Sequence, residues 1–86
     1  MKVRIPTPLR SYTEQQAVVD AGGSTIDEVL HDLDRQFPGL RFRVVDEQGR
    51  LRRHMKIFVN EEAERDLSTS VDATDEIVLM QALSGG

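Results

Sequence analysis

The chain has 86 residues, no cysteine and a net charge of −4, with an isoelectric point near 5.0. A length of this order makes one domain with a small core, burying somewhat more than about 60% of the surface its unfolded form exposes. Without thiols there are no disulfides, thiolate nucleophiles, iron–sulfur clusters or Cys-ligated zinc; no apolar run has the shape of a signal peptide or the length of a bilayer span, and the acidic balance does not suit a polyanion, so the expectation is a cytoplasmic protein with no nucleic acid and no membrane as partner.

Met1-Lys2-Val3-Arg4-Ile5 alternates apolar and basic residues with period two, the pattern of a half-buried strand, and Pro6 and Pro8 forbid its continuation. After a short connection over residues 9–13, the segment 14–20 is expected to return antiparallel, and Gly22-Gly23 then turns the chain. Ser24 or Thr25 offers a hydroxyl cap, with Asp27 or Glu28 three residues later to complete a capping box. Ile26, Val29, Leu30, Leu33 and Phe37 then form one apolar stripe at helical spacing, which Pro38-Gly39 ends.

Residues 40–54 read as a long connection: Leu40, Phe42 and Val44 alternate, Asp46-Glu47-Gln48-Gly49 has the composition of a turn, and the basic residues that follow suit a surface. Met55-Lys56-Ile57-Phe58-Val59 is the next clear strand, closed by Asn60 and Glu61-Glu62, with a short edge strand expected at residues 63–65. The segment 75–82 reads as a buried strand leading directly into Leu83-Ser84-Gly85-Gly86.

Two strands, one main helix and two or more further strands make an α+β domain, a mixed sheet of four to five strands packed on one helix. If the first and last strands pair side by side in the middle of the sheet, this is the β-grasp arrangement. Residues 1–82 then form a single body and residues 83–86 a flexible tail. A Gly-Gly end is compatible with an ordinary loose terminus. A strand running straight into it favours a presented tail: two residues without Cβ fit a channel too narrow for any other, and four extended residues reach about 13–14 Å into a partner's active site.

These pieces together resemble the ubiquitin-like sulfur carriers, among them the molybdopterin synthase small subunit, the thiamine sulfur carrier and the carrier of a cysteine-biosynthetic route. The likeness spans nearly the whole chain: Ile5-Pro6, the helix from Thr25 to Leu30 running on to Phe37-Pro38-Gly39-Leu40, Ile57-Phe58-Val59-Asn60, Thr74-Asp75-Glu76-Ile77 and Gly85-Gly86. Residues 49–60 look most like the cysteine-route and molybdopterin-type members. One departure is the lack of the proline such relatives often carry near Gln81, which bears only on the angle at which the tail leaves.

The resemblance implies a carrier that is not itself an enzyme and binds no cofactor. An E1-like adenylyltransferase/sulfurtransferase would use ATP to adenylate the Gly86 carboxylate, sulfur would displace AMP to give a thiocarboxylate, and a sulfur-accepting synthase would receive it: a molybdopterin synthase large subunit, a cysteine synthase or a thiazole synthase. Leu83, Ser84, Gly85 and Gly86 would enter the partner's active site, with no protease needed to expose the end. Two other readings stay open: a ubiquitin-like modifier joined to lysines through Gly86, for which the chain itself offers only Lys2 and Lys56 as acceptors, and a plain β-grasp interaction module.

Strand parity suggests docking candidates. If Ile77 and Leu79 face the helix, Val78, Met80 and Ala82 face away, and Phe58 joins them beside the tail. That face is either open to a partner or covered by the 40–54 connection. Arg50, Arg52 and Arg53, with His54 and Lys56, form the one concentrated basic region, which is either a solvated loop or a surface steering toward an acidic partner. No residues are assigned to catalysis or to a metal: His31 and His54 lack companion ligands, and no serine has a base in a recognisable motif.

Overall fold

The computed structural model describes residues 1–82. Its strands are β1 (Lys2–Arg4), β2 (Val18–Asp20), β3 (Met55–Val59), β4 (Glu62–Glu64) and β5 (Glu76–Gln81), and its helices are α1 (Ile26–Gln36) and α2 (Leu40–Val44). The five strands form one mixed sheet in the order β2-β1-β5-β3-β4, with β1 and β5 parallel and the other neighbours antiparallel. First and last strands lie side by side in the middle, α1 packs across one face, and the architecture is that of a β-grasp domain. None of the described helices is long and apolar enough to cross a membrane.

The opening hairpin forms with a shorter second strand than its sequence suggests. Thr7–Thr13 is a 3-10 helix, entered through Pro8 in its first turn, that buries Leu9 and Thr13. Glu14 and Gln15 then take left-handed φ values of 55° and 67°, so the chain turns there and extended pairing begins at Val18. The buried Thr13 hydroxyl satisfies this reversal, lying 3.2 Å from the Arg10 carbonyl and 2.9 Å from that of Gln16.

Helix α1 starts as the capping pattern requires. Thr25 Oγ1 accepts the Glu28 amide at 3.2 Å, and the Glu28 carboxylate reaches back to the Ser24 amide at 2.9 Å. Ile26, Val29, Leu30 and Leu33 are buried against the sheet with Val3, Ile57, Ile77 and Leu79. Gly23 has no room for a side chain, because a Cβ there would lie 2.8 Å from both the Val29 amide nitrogen and Glu28 Cβ.

The segment 40–54, read as a long connection, carries a short helix where Leu40, Phe42 and Val44 alternate. Leu40 to Val44 is a helical turn in which Leu40 and Val44, spaced i and i+4, are buried and Phe42 is left 54% exposed. Asp34 Oδ1 sets up this turn by accepting the Gly39 and Arg41 amides at 3.1 and 3.2 Å. A tight reversal follows: Val45 bridges Leu51, and Asp46 Oδ1 accepts the Gln48 and Arg50 amides at 2.9 and 3.0 Å. The Arg65 guanidinium pins the far side through the Leu51 and Met55 carbonyls at 3.1 and 3.3 Å.

The β3–β4 hairpin turns through Asn60 and Glu61, both left-handed, the geometry that suits a two-residue connection between twisted strands. Asn60 also ties this turn to β5: its side-chain oxygen accepts the Glu76 amide at 3.0 Å and its side-chain nitrogen donates to Asp75 at 2.7 Å. The edge strand therefore sits one residue earlier than the 63–65 that composition suggests.

Candidate functional site

Strand β5 is hydrogen-bonded along both edges, pairing Val3 with Ile77 on one side and Ile57 with Leu79 on the other. Its pairing extends past Gln81, because the Ala82 amide donates to the His54 carbonyl at 2.7 Å. The point at which the chain leaves the sheet is thus held from the centre of the fold and not from a loose edge. Leu83, Ser84, Gly85 and Gly86 lie outside the described residues, as does the expected tail they form.

Parity along β5 divides its side chains as the sequence suggests. Ile77 and Leu79 are buried beneath α1, whereas Val78 is half-buried, Met80 is 48% exposed and Ala82 is exposed on the opposite face. Cross-strand registry sets Phe58 beside Val78 and Lys56 beside Met80. Phe58, Val78 and Met80 line a shallow depression rimmed by Glu61 and Glu76. The 40–54 segment does not cover this face, because α2 packs against α1 and the 3-10 helix on the helical layer. Of the two sequence alternatives, the open face is the one that forms.

The basic cluster does not act as one surface. Arg50 lines a groove with Gly49, Leu51 and Arg65, and Arg53 is exposed. Arg52 folds back instead: its Nε donates to the Phe42 carbonyl at 2.8 Å, and its guanidinium lies 4.6 Å from the centre of the Phe42 ring. Phe42 and Arg43 are thus brought to Arg52 and His54, two residues that reading the segment as a long connection left out of any site. The available signal was the i, i+4 spacing of Leu40 and Val44, which puts Phe42 off the buried side of a helical turn.

Of the remaining titratable groups, His31 sits 3.4 Å from Asp27 on α1. Among the described residues no three or more His, Asp and Glu side chains come together as metal ligands would. Asp75 is held below the ordinary carboxylate value, chiefly by the Asp72 amide and then by Asn60, which makes it a turn-stabilising group.

The model of the ThiS family matches residues 3–86. Sulfur carrier protein CysO of Mycobacterium tuberculosis, and likewise that of Mycobacterium bovis, is 36% identical over 89 residues, covering 98% of this chain and 96% of the relative. Among solved structures, the Amycolatopsis orientalis BexX/CysO complex contains a chain that superposes with a TM-score of 0.91 at 32% identity, over 99% of this chain and 98% of that one. SAMP1 from Haloferax volcanii superposes with a TM-score of 0.79 at 30% identity, over 100% of this chain and 98% of its own. With a mixed sheet centred on its last strand and a family match running from the first strand to Gly86, the chain belongs to the ThiS family, the ubiquitin-like sulfur carriers.

Proposed function

We propose that this chain carries sulfur on the Gly86 carboxylate and supplies no catalytic residue of its own. The observation that carries the reading is the two-edged anchoring of β5 up to Ala82, four residues before the terminal glycine. A carboxylate is a poor electrophile. In the proposed sequence it attacks the α-phosphorus of ATP within an E1-like adenylyltransferase/sulfurtransferase, releasing pyrophosphate. Sulfur at the sulfide oxidation level then attacks the acyl carbon and AMP leaves, giving a thiocarboxylate whose nucleophilic sulfur a synthase accepts. Likeness to CysO favours the cysteine route, and with it a cysteine synthase as acceptor, and the proposed setting is the cytoplasm, where ATP is supplied.

Phe58, Val78, Met80 and Ala82 are the proposed grip. An apolar patch beside the tail root gives an enzyme a surface to hold while the last four residues enter its active site. The test is intact-mass measurement after incubation with the E1-like enzyme of the same organism, ATP and a sulfide source. Exchange of one oxygen for sulfur in wild type, absent when Gly86 is deleted, is the expected result; an unchanged wild-type mass with a demonstrably active enzyme would refute it. The likeness to SAMP1, a small archaeal modifier protein, favours a second reading as a protein modifier, which would appear in the same experiment as isopeptide adducts on lysines.

A further inference from the structure

The cleft beside the tail root joins a stacked aromatic ring to two guanidinium groups. Phe42, Arg43, Arg52 and His54 line a concavity of about 370 Å³, with Glu47 as its one acidic member. Phe42 is 54% exposed although it sits on a helical turn with two buried neighbours, and the ring is used by the Arg52 guanidinium lying over it. Arg52 Nε is committed to the Phe42 carbonyl, which fixes the plane of the guanidinium. Among the described residues its two Nη atoms donate to nothing, so that end of the guanidinium is left available to a ligand. His54 places this cleft at the tail, since its carbonyl holds the Ala82 amide.

We propose that this cleft receives a carboxylate-bearing segment of the activating enzyme, with an Asp or Glu side chain seated on the Nη edge of Arg52 and Arg43 contributing beside it. The inference rests on the carrier reading and adds a second grip to it, on different residues from the apolar face. Charge selects the occupant. The molecule is acidic overall, yet this cleft sets the Arg43 and Arg52 guanidinium groups against Glu47 alone. A planar fork fixed by a hydrogen bond and a ring suits bidentate recognition of a carboxylate. Proximity narrows the occupant to an enzyme that takes Gly86, since it must approach within about 14 Å of Ala82, the reach of four extended residues, and the activating enzyme is the one that must take it first.

The test measures initial rates of thiocarboxylate formation against carrier concentration, using the E1-like adenylyltransferase of the same organism, ATP and sulfide, at low and high salt. Arg52→Glu and Arg43→Glu are each expected to raise KM about tenfold at low salt with kcat within about twofold, and the difference should shrink at high salt. Arg35→Glu makes the same charge change on exposed α1 and should leave KM within about twofold. Phe42→Ala should raise KM less than Arg52→Glu and with the same direction of salt dependence, since it keeps the charge but removes the ring that orients Arg52. The exposed Arg43 makes no side-chain hydrogen bond among the described residues, so Arg43→Glu carries the test should Arg52→Glu fail to fold. Unchanged KM in Arg43→Glu, or an equal rise in Arg35→Glu, overturns the cleft while wild-type turnover leaves the carrier reading standing. A wild type that is never thiocarboxylated overturns both.

Discussion

Leu79 and Met80 are neighbours on β5 that face opposite sides of the sheet, and alanine at each position separates folding from docking. Leu79 is 1% exposed and its neighbours are close-packed, so Leu79→Ala removes buried methyl groups and leaves a cavity, costing about 3 kcal/mol. In a domain of this size 1 kcal/mol moves the melting temperature by about 4–8 °C, so the expected loss is about 12–24 °C. Met80 already shows 48% of its surface to solvent, which halves the roughly 1.5–3 kcal/mol that full burial of such a side chain contributes. Part of that remainder survives as the alanine methyl, so Met80→Ala should cost no more than about 1 kcal/mol, a shift below about 8 °C. On the open face the order reverses. Met80→Ala should raise KM for the activating enzyme about tenfold, the loss typical of a residue central to an interface, whereas Leu79→Ala at a temperature where it stays folded should change KM little. Calorimetry and the thiocarboxylation assay read the two effects separately. Equal thermal losses, or an unchanged KM for Met80→Ala, would refute the assignment of the two faces.

Two further outcomes follow from local geometry. Gly23→Ala would place a Cβ 2.8 Å from the Val29 backbone nitrogen, which cannot move without disturbing the first turn of α1; urea unfolding should show a loss of about 1–3 kcal/mol, and an unchanged midpoint would contradict the crowding. Asp32, Asp46, Asp66 and Asp75 are all held below the ordinary carboxylate value. The principal causes are backbone amides for Asp32, Asp46 and Asp75 and the Ser68 hydroxyl for Asp66. Because these folded values lie below the unfolded ones, the unfolded chain takes up protons first. Their stabilisation is complete above the unfolded values and is lost as pH falls through the folded ones, so the melting temperature should hold from neutrality to about pH 5 and decline below about pH 4. A melting temperature indifferent to acid would show that these turns contribute nothing to stability.

How much of this was legible from the residues depended on the length of the pattern. Helix α1 carries four apolar positions over two turns and a cap with its partner acid, so propensity, periodicity and capping agree and tertiary packing has nothing to override. Strands β3 and β5 were equally clear, and with them the outward face of Val78 and Met80. The 40–44 turn was not, because Leu40, Phe42 and Val44 satisfy a period of two as well as an i, i+4 pair. Five residues are too few to decide between the two. What decides is the Asp34 carboxylate on the Gly39 and Arg41 amides, a contact that no local pattern announces. The same ambiguity hid Phe42 and Arg43 from the site. Arg50, Arg52 and Arg53 read as one cluster because sequence adjacency does not say which way each residue turns on an irregular segment.

The parallel pairing of β1 with β5 joins Val3 to Ile77, nearly the full length of the chain apart, and β3 has its main partner in β5 as well. Until residues 76–81 have left the ribosome, the two halves of the sheet have nothing to close on, so folding waits for the last strand to be synthesised. A chain broken off before that point lacks its keystone and is exposed to proteolysis. The topology thereby acts as a filter for completeness: molecules that survive to meet an enzyme are those whose β5 is in place.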